Sequence, residues 1–515
     1  MTRPGRRNLT HHTLTGLLWM VYGKGAYGIL QIVVLAILAR LVSPTDFGVV
    51  SAALIVIGIS AIVSQLGLGP ALVQRADLER RHIDTAFTTS VLIGLVLGAI
   101  IWLGASAMAS FFRTQGVEPV LRALAWVFPL QGVSTTAESL MRRELRFRWL
   151  ANLDVISYGV GYGLVGITTA LLGWGVWALV AGQISQNLVK TGLLVSVQPP
   201  RLRSLPEMRA FRELMYFGGG FTVAKIANQF AQQGDYLMVG RFLGPTSLGF
   251  YGRAYNLMSA PAAGFATVLD YVLFPAMALV QESTDRLAAA YRRGAALIAL
   301  VVVPASAALV ILAPEVIRVV LGPKWTPVVV PFQILAAGML FRTSSKLSDT
   351  LTRATGAVFR RAWRQIIYAA MVLGGAWIGQ HWGIVGVSWG VLLALMVNFG
   401  LMAHLSVTEA KMTWLDFWRA HVPALLMAVV SSPIVWVVGT ISRHWGLPAV
   451  AIVIIGGVIV VGSALLLVYL APNTFLGHDG QWMVTTMRSY TRKVLHKTTQ
   501  AAPAGPAAPA APVVE

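Results

Sequence analysis

The sequence predicts an all-α polytopic membrane protein with fourteen transmembrane helices. Two parallel-repeat lobes of six helices are expected around a central cavity, followed by two extra C-terminal helices. Three observations predict this. Apolar runs of about 20 residues, long enough to span a hydrocarbon core, recur along the whole chain. Arginine and lysine cluster in every second loop. The segment Arg40–Gly48, RLVSPTDFG, returns 201 residues later as Arg241–Gly249, RFLGPTSLG.

Composition agrees. Of 515 residues, 56% are hydrophobic and 12% charged, and the mean hydropathy is +0.69. A soluble domain carries roughly twice that charged share. The alternating segments of about ten residues that build a membrane barrel are absent. The net charge of +20 would suggest nucleic acid in a soluble protein, but these bases lie between apolar runs and follow membrane topology instead. With no cysteine, disulfides and thiolate metal sites are excluded.

Residues 1–12 form a basic N-terminus, read as cytoplasmic. The apolar run that follows is too long for a signal peptide and lacks a small-residue cleavage site, so it is expected as the uncleaved first helix. Spans are predicted to start near residues 15, 47, 87, 121, 151, 174, 214, 249, 294, 329, 365, 385, 421 and 448. Bases follow spans 2, 4, 6, 8, 10 and 12, for example Arg75, Arg80 and Arg81, then Arg142 and Arg143, then Arg360, Arg361 and Arg364. The opposite loops are short and hold few, among them Arg113, Arg318, Lys324 and Arg443. Both termini are therefore expected in the cytoplasm. Residues 13–196 make the first lobe, 197–213 a polar proline-containing linker, and 214–407 the second lobe. Six spans per lobe give the two repeats the same orientation, related by an axis along the membrane normal. Residues 420–470 hold the last two spans, and 471–515 a cytoplasmic tail, Ala/Pro-rich and expected to be disordered from about 501.

Carried back without a gap, the repeat places Lys24 on Lys225 and Gln31 on Gln232. Lys24 and Gln31 share one helical face. Lys225, Asn228, Gln229 and Gln232 form a polar stripe at i, i+3, i+4 and i+7, with Gln233 and Asp235 beside it. A lysine at the centre of a membrane helix costs about 2.5–3.5 kcal/mol on insertion scales, so it is expected to face a cavity or a partner. The alternative is snorkelling to the interface. Span 10 carries Arg342, Lys346 and Asp349 on one face. They are either a second cationic patch with a coupling acid, or an internal ion pair between Lys346 and Asp349 that lets the helix insert. Asp235 and Asp349 are the candidate ion-coupling acids. Gln183, Gln186, Asn187 and Lys190 suit hydroxyl-rich ligands or interhelical hydrogen bonds. Arg253 and Asn256 are expected as interfacial anchors, and Glu138, Asp154, Asp235 and Asp270 as lone acids near or within spans. Cations and amides around a wet cavity favour an anionic ligand rich in hydroxyls, which a lipid-linked sugar with a phosphate joint would satisfy.

No P-loop and no His-Glu-x-x-His occurs, so direct ATP drive and zinc proteolysis are excluded. The histidines are scattered, and no metal or cofactor site is expected. The outer loops are too short for a catalytic domain, so no enzyme is expected.

The run Ile37–Arg75, with Arg142–Phe147, Gly240–Gly244, Tyr251–Met258 and Leu321–Trp325, resembles the polysaccharide-transporter branch of the multidrug/oligosaccharidyl-lipid/polysaccharide exporter superfamily. It is similar in particular to colanic-acid and teichuronic-acid exporters. The resemblance implies a bacterial inner-membrane flippase for undecaprenyl-diphosphate-linked repeat units, working by alternating access. It implies two six-helix lobes in a V, cations in the lumen, and membrane lipids, a polysaccharide polymerase and a co-polymerase as partners. The rival readings are a drug or cation antiporter and a lipid II flippase of the same superfamily.

Overall fold

A computed structural model describes residues 25–65, 67–75, 77–199, 207–269, 273–482 and 485. Lys24 and Asp270 lie outside the described residues. Every regular element among the described residues is helical.

The first half contains α1 (Gly25–Leu41), α2 (Pro44–Gln65), a short α3 (Leu68–Gln74), α4 (Arg80–Phe112), α5 (Val117–Leu124), α6 (Val127–Arg143), α7 (Phe147–Leu171) and α8 (Val176–Val197). The second half contains α9 (Met208–Phe242), α10 (Gly244–Val268), a short α11 (Phe274–Leu279), α12 (Thr284–Ile311), α13 (Ala313–Val320), α14 (Val329–Ala337), α15 (Met339–Ala354), α16 (Val358–Gly379) and α17 (Gly383–Glu409). Then come α18 (Trp414–His444), packed on α12, and α19 (Ala449–Leu470), packed on α18 and α13.

Seven helical segments among the described residues are long and apolar enough to cross a bilayer. The number is eight if Pro323–Ala337 and Met339–Ala354, bent by 44° at Gly338, count as one span. The 51-residue segment Phe359–Glu409 is α16 and α17 joined by a single turn of 3-10 helix. Other long helices, among them α8, α9 and α10, are less apolar. These carry Gln183, Gln186, Asn187 and Lys190, then Lys225, Asn228, Gln229 and Gln232, then Arg253 and Asn256.

The repeat is visible in space. Ser43 caps α2: its hydroxyl accepts from the Asp46 amide at 3.1 Å and donates to the Asp46 carboxylate at 2.7 Å, with Pro44 in the first turn. In the second copy Gly244, with φ of +81°, replaces Ser43, and Pro245 follows. The two proline-led helices then cross. The Thr45 and Thr246 hydroxyls, equivalent by the repeat, lie 2.8 Å apart. A Cβ on Gly48 would come within 1.6 Å of the Pro245 carbonyl oxygen, and one on Gly249 within 2.0 Å of the Pro44 oxygen. Each residue meets the partner of its own counterpart, so a local two-fold axis passes between α2 and α10.

Loop ends also sort by side. The basic loops bond one another: Arg143 donates to the carbonyls of Leu72 and Val73, and Arg360 pairs with Glu409 at 2.7 Å. The opposite loops do likewise: Arg443 pairs with Glu315 at 2.8 Å. That segregation is what alternating helix direction requires.

Substitution of Gly48 by leucine should therefore separate the halves. We expect a loss of about 1–3 kcal/mol or more from overpacking, read as a lower melting temperature in detergent. Gly264→Ala, where a Cβ meets nothing within 4 Å, should leave the melting temperature within its error.

Candidate functional site

The polar stripe of α9 divides between two surroundings. Gln229 and Gln233 face α2 of the first half, where a Cβ on Gly58 would lie 3.4 Å from the Gln229 amide nitrogen and 3.8 Å from the Gln233 oxygen. Gln232 instead lines a small cavity inside the second half. Lys225 and Asn228 lie on the same helix, with side chains outside the described ones. Gln31 is exposed on α1. Gln229 and Gln232, three residues apart on α9, thus meet different neighbours, α2 and the cavity of the second half.

The small cavity has a volume of about 40 Å³, room for a few waters, and is lined by Gln232, Arg342, Lys346, Asp349, Arg361 and Gln365 among others. All three polar residues of the span 10 face therefore line the same small cavity. Asp349 pairs with Arg361 of α16, and with Arg353 one turn along α15 at 3.6 Å. Lys346 is the partner expected from the sequence; Arg353 at i+4 lies equally within reach of the spacing, whereas Arg361 arrives from another helix.

Asp235 is elsewhere, 1% exposed, in a tyrosine cage. The Tyr251 hydroxyl donates to Oδ2 at 2.5 Å, and the Tyr236 amide to Oδ1 at 3.0 Å. Arg342 Nη1 donates to the Tyr255 hydroxyl at 2.6 Å, with its guanidinium 4.9 Å from the centre of that ring. The segment Tyr251–Met258 places residues on two faces of α10: Tyr251 and Tyr255 point toward Asp235 and Arg342, while Arg253 points toward the first half, 4.5 Å from the centre of the Phe47 ring. The expectation of Arg253 as an interfacial anchor is corrected. It faces inward because α10 packs along α2, and Arg253 lies on the face of α10 turned to Phe47 of that helix.

Glu138 and Asp154 are not lone acids. Lys190 of α8 reaches Glu138 of α6 at 3.2 Å and Asp154 of α7 at 3.1 Å, and Arg142 also holds Glu138, at 2.5 Å. Lys190 is thus spent on tying three helices of the first half together. Nearby, the Tyr162 hydroxyl donates to Gln183 at 2.7 Å.

At the basic-loop end, a cavity of about 710 Å³ is lined by Arg75, Met208, Arg209, Arg212 and Glu213. Glu213 receives Arg75 at 2.6 Å, His82 at 3.0 Å and Arg209 at 3.4 Å, which joins the first half to the start of α9. Hydrogen bonding from His82, then the charges of Arg75 and Arg81, hold the Glu213 carboxyl below its ordinary range. That contribution is complete above the ordinary carboxylate range and is lost only as pH falls through the depressed value.

The other end is sealed. Arg40 of the first half donates to the Val319 carbonyl at 2.6 Å, and its repeat counterpart Arg241 donates to the Phe111 carbonyl, also at 2.6 Å. The two bonds run in opposite directions between the halves. Trp325, fully buried, donates from Nε1 to the Ala39 carbonyl at 2.8 Å and lies edge-on between Phe47 and Phe250. The segment Leu321–Trp325 is therefore a wedge across the closed end.

Two halves sealed at one end, with polar helices between them and bases at the other end, define a multi-pass membrane transporter of the two-lobed kind. Residues 37–330 match the family described as polysaccharide biosynthesis protein, and the chain belongs to that family. It is the polysaccharide-transporter branch anticipated from Ile37–Arg75. The chain is 23% identical over 410 residues to the lipopolysaccharide biosynthesis protein WzxC of Escherichia coli (strain K12), covering 76% of this chain and 80% of that one. It is 26% identical over 441 residues to the succinoglycan biosynthesis transport protein ExoT of Rhizobium meliloti (strain 1021), at 80% and 88% coverage. It is 22% identical over 451 residues to the teichuronic acid biosynthesis protein TuaB of Bacillus subtilis (strain 168), at 86% and 92%. Among solved structures, the lipid II flippase MurJ in an inward closed conformation superposes with a TM-score of 0.70 at 12% identity, over 88% of this chain and 99% of that one. An inward-facing multidrug resistance MATE family transporter of the MOP superfamily gives 0.60 at 16% identity, over 76% and 96%. These structural likenesses concern the fold.

If the reciprocal arginines help hold the sealed end, Arg40→Ala with Arg241→Ala should release it. We expect a loss of about one or two kcal/mol in total, shifting a two-state equilibrium by a factor of about 5–30. The chain has no cysteine, so spin labels at Gln115→Cys and Thr326→Cys would report the gap without background. A longer, broader distance distribution in the double variant is the expected result.

Proposed function

We propose that the protein is a flippase that moves undecaprenyl-diphosphate-linked oligosaccharide repeat units across the bacterial inner membrane, for exopolysaccharide, capsule or O-antigen synthesis. The observation that carries this reading is family membership. Relatives aligned over most of their length are named for three different glycans, lipopolysaccharide, succinoglycan and teichuronic acid. A shared architecture serving different sugars has to read what those cargoes share, and a phosphorylated lipid carrier is such a part. Polar helices between the halves, with Lys24 and Lys225 as the expected cations, suit that demand.

In this reading the fourteen helices cross the membrane as two lobes, 13–196 and 214–407, with 197–213 between them, 420–470 as the extra pair and 471–515 as the tail. The basic-loop end faces the cytoplasm. The sugar enters between the lobes past Arg209 and Arg212, and the lipid tail stays in the bilayer. The lobes rock to open the end latched by Arg40 and Arg241. Asp349, on the small cavity, is the more accessible of the two candidate coupling acids, since Tyr251 caps Asp235. No chemical step is required of the protein.

A deletion strain should accumulate lipid-linked repeat units on the cytoplasmic side, and the intact gene should clear them. The pair Lys24→Ala and Lys225→Ala, at normal expression, should fail to restore export, with transport falling at least about tenfold if each lysine supplies a charge-assisted phosphate contact. Export at the wild-type rate would remove the role assigned to these lysines.

A further inference from the structure

The small cavity of the second half carries more positive than negative charge. Arg342, Lys346 and Arg361 line it, with one acid, Asp349. That acid is shared: it pairs with Arg361 and, at 3.6 Å, with Arg353. Arg342 donates to a neutral phenol, Tyr255, and the carboxylate that acts on it through space is Asp235. Leaving Lys346 aside, the three arginines already outnumber these two acids. Bases in a membrane helix bundle are retained against their insertion cost when they meet opposing charge, and here the described residues supply only part of it.

The walls also hold donors. Arg361 Nε is buried and makes no hydrogen bond, although the guanidinium is in ion-pair contact with Asp349. A buried donor without an acceptor is costly, so this one calls for a further group. Neutral donors come from the neighbouring helices. Tyr368 of α16 and Asn398 of α17 are 6% and 5% exposed and line the same space, with Gln232 of α9. Gln365 donates to Asn398 Oδ1 at 3.5 Å, which leaves the Asn398 amide nitrogen as a donor.

Sign and size then describe the occupant. A metal cation is disfavoured: like charges repel strongly in a medium of low dielectric, and the one lining carboxylate is already engaged. The volume, about 40 Å³, holds a few waters. A halide ion is little larger than a water molecule, whereas a phosphate is several times larger, and a sugar larger still. Every wall belongs to the second half, on α9, α15, α16 and α17.

We propose that the second half binds an inorganic anion of the size of chloride in this cavity, as a counter-ion held by Lys346 and Arg361 with Tyr368 and Asn398 as neutral donors. The ion draws α9, α15, α16 and α17 together, so the second half is a firmer body with the ion than without it. Arg342 and Lys346 then serve an inorganic ligand instead of a cargo. The flippase reading does not call for this ligand, and the inference does not rest on it.

Full-length protein in detergent micelles and sodium gluconate, titrated with sodium chloride or sodium bromide at constant ionic strength, tests this. The melting temperature should rise with either halide and level off, as a bound ligand requires. The magnetic-resonance line of chloride should broaden with the protein and sharpen again when bromide displaces the ion, but not when phosphate is added. Arg361→Gln and Lys346→Gln should each weaken the apparent chloride affinity by about tenfold or more. Asp349→Asn should tighten it by removing the negative charge at the site, a gain that general damage to the fold would not produce. If Arg361→Gln fails to fold, Lys346→Gln and Asp349→Asn decide. Equal melting temperatures in gluconate and chloride, with no line broadening, overturn the inference. Wild-type chloride affinity in both the arginine and the lysine variant overturns it too, by placing the ion elsewhere. Displacement by phosphate does the same, since it shows an open anion-binding surface. None of these results bears on the flippase reading, which stands or falls with export.

Discussion

The crossing of α2 and α10 is the constraint on which the arrangement depends. Two helix starts approach until backbone meets backbone, which only glycine at 48 and 249 allows. Close backbone approach through small residues is how helices associate in a bilayer, where burial of apolar surface gives little drive between helices. The same device recurs between α16 and α17, where a Cβ on Gly390 would meet the Gly375 carbonyl oxygen at 2.4 Å. There it fixes a hairpin within one half; at α2 and α10 it joins the two halves. The difference has mechanical consequences. A hairpin can stay rigid, whereas a contact between halves has to part if the far end is to open. The contact is accordingly reinforced by groups that can let go, two arginine-to-carbonyl bonds and one indole-to-carbonyl bond.

Charges inside the bundle divide into two kinds. Lys190 with Glu138 and Asp154, and Asp349 with Arg361 and Arg353, are clusters of opposite charges that tie helices together within one half. Breaking such a cluster strands a charge in a poor solvent, so these residues hold shape. Arg253 is of the other kind, its buried Nε without a hydrogen-bond partner and its guanidinium over the Phe47 ring of the first half. A transporter needs both: rigid halves that move as bodies, and sparse polar contacts to a cargo between them. Cargo contacts also have to be weak enough in each state not to trap it.

Much of this was legible in the chain. Hydropathy and the alternation of bases determined a polytopic helical membrane protein, because lipid forces every backbone amide into a helix or a closed barrel. The repeat of Arg40–Gly48 at Arg241–Gly249 determined that the halves are equivalent, and Thr45 against Thr246 places that equivalence on an axis. Segments such as Tyr251–Met258 and Leu321–Trp325 pointed to the family before any fold was in view. Stripe spacing put Gln229 and Gln232 on one helix, as found.

What only the tertiary structure decided is which neighbours those residues meet. Helical periodicity reports the face of one helix and nothing of the helix opposite. The Arg142 partner of Glu138 stands at i+4 on its own helix and was passed over, whereas Asp154 read as a lone acid because Lys190 lies some forty residues away along the chain. Arg361 could not be matched to Asp349, nor Phe47 to Arg253, for the same reason. The stripe of α9 splits between a small cavity and the opposite half because α2 and α16 both pack against it. Local sequence sets each helix and its apolar face; long-range packing decides whether a polar side chain on it becomes a brace, a latch or a binding group.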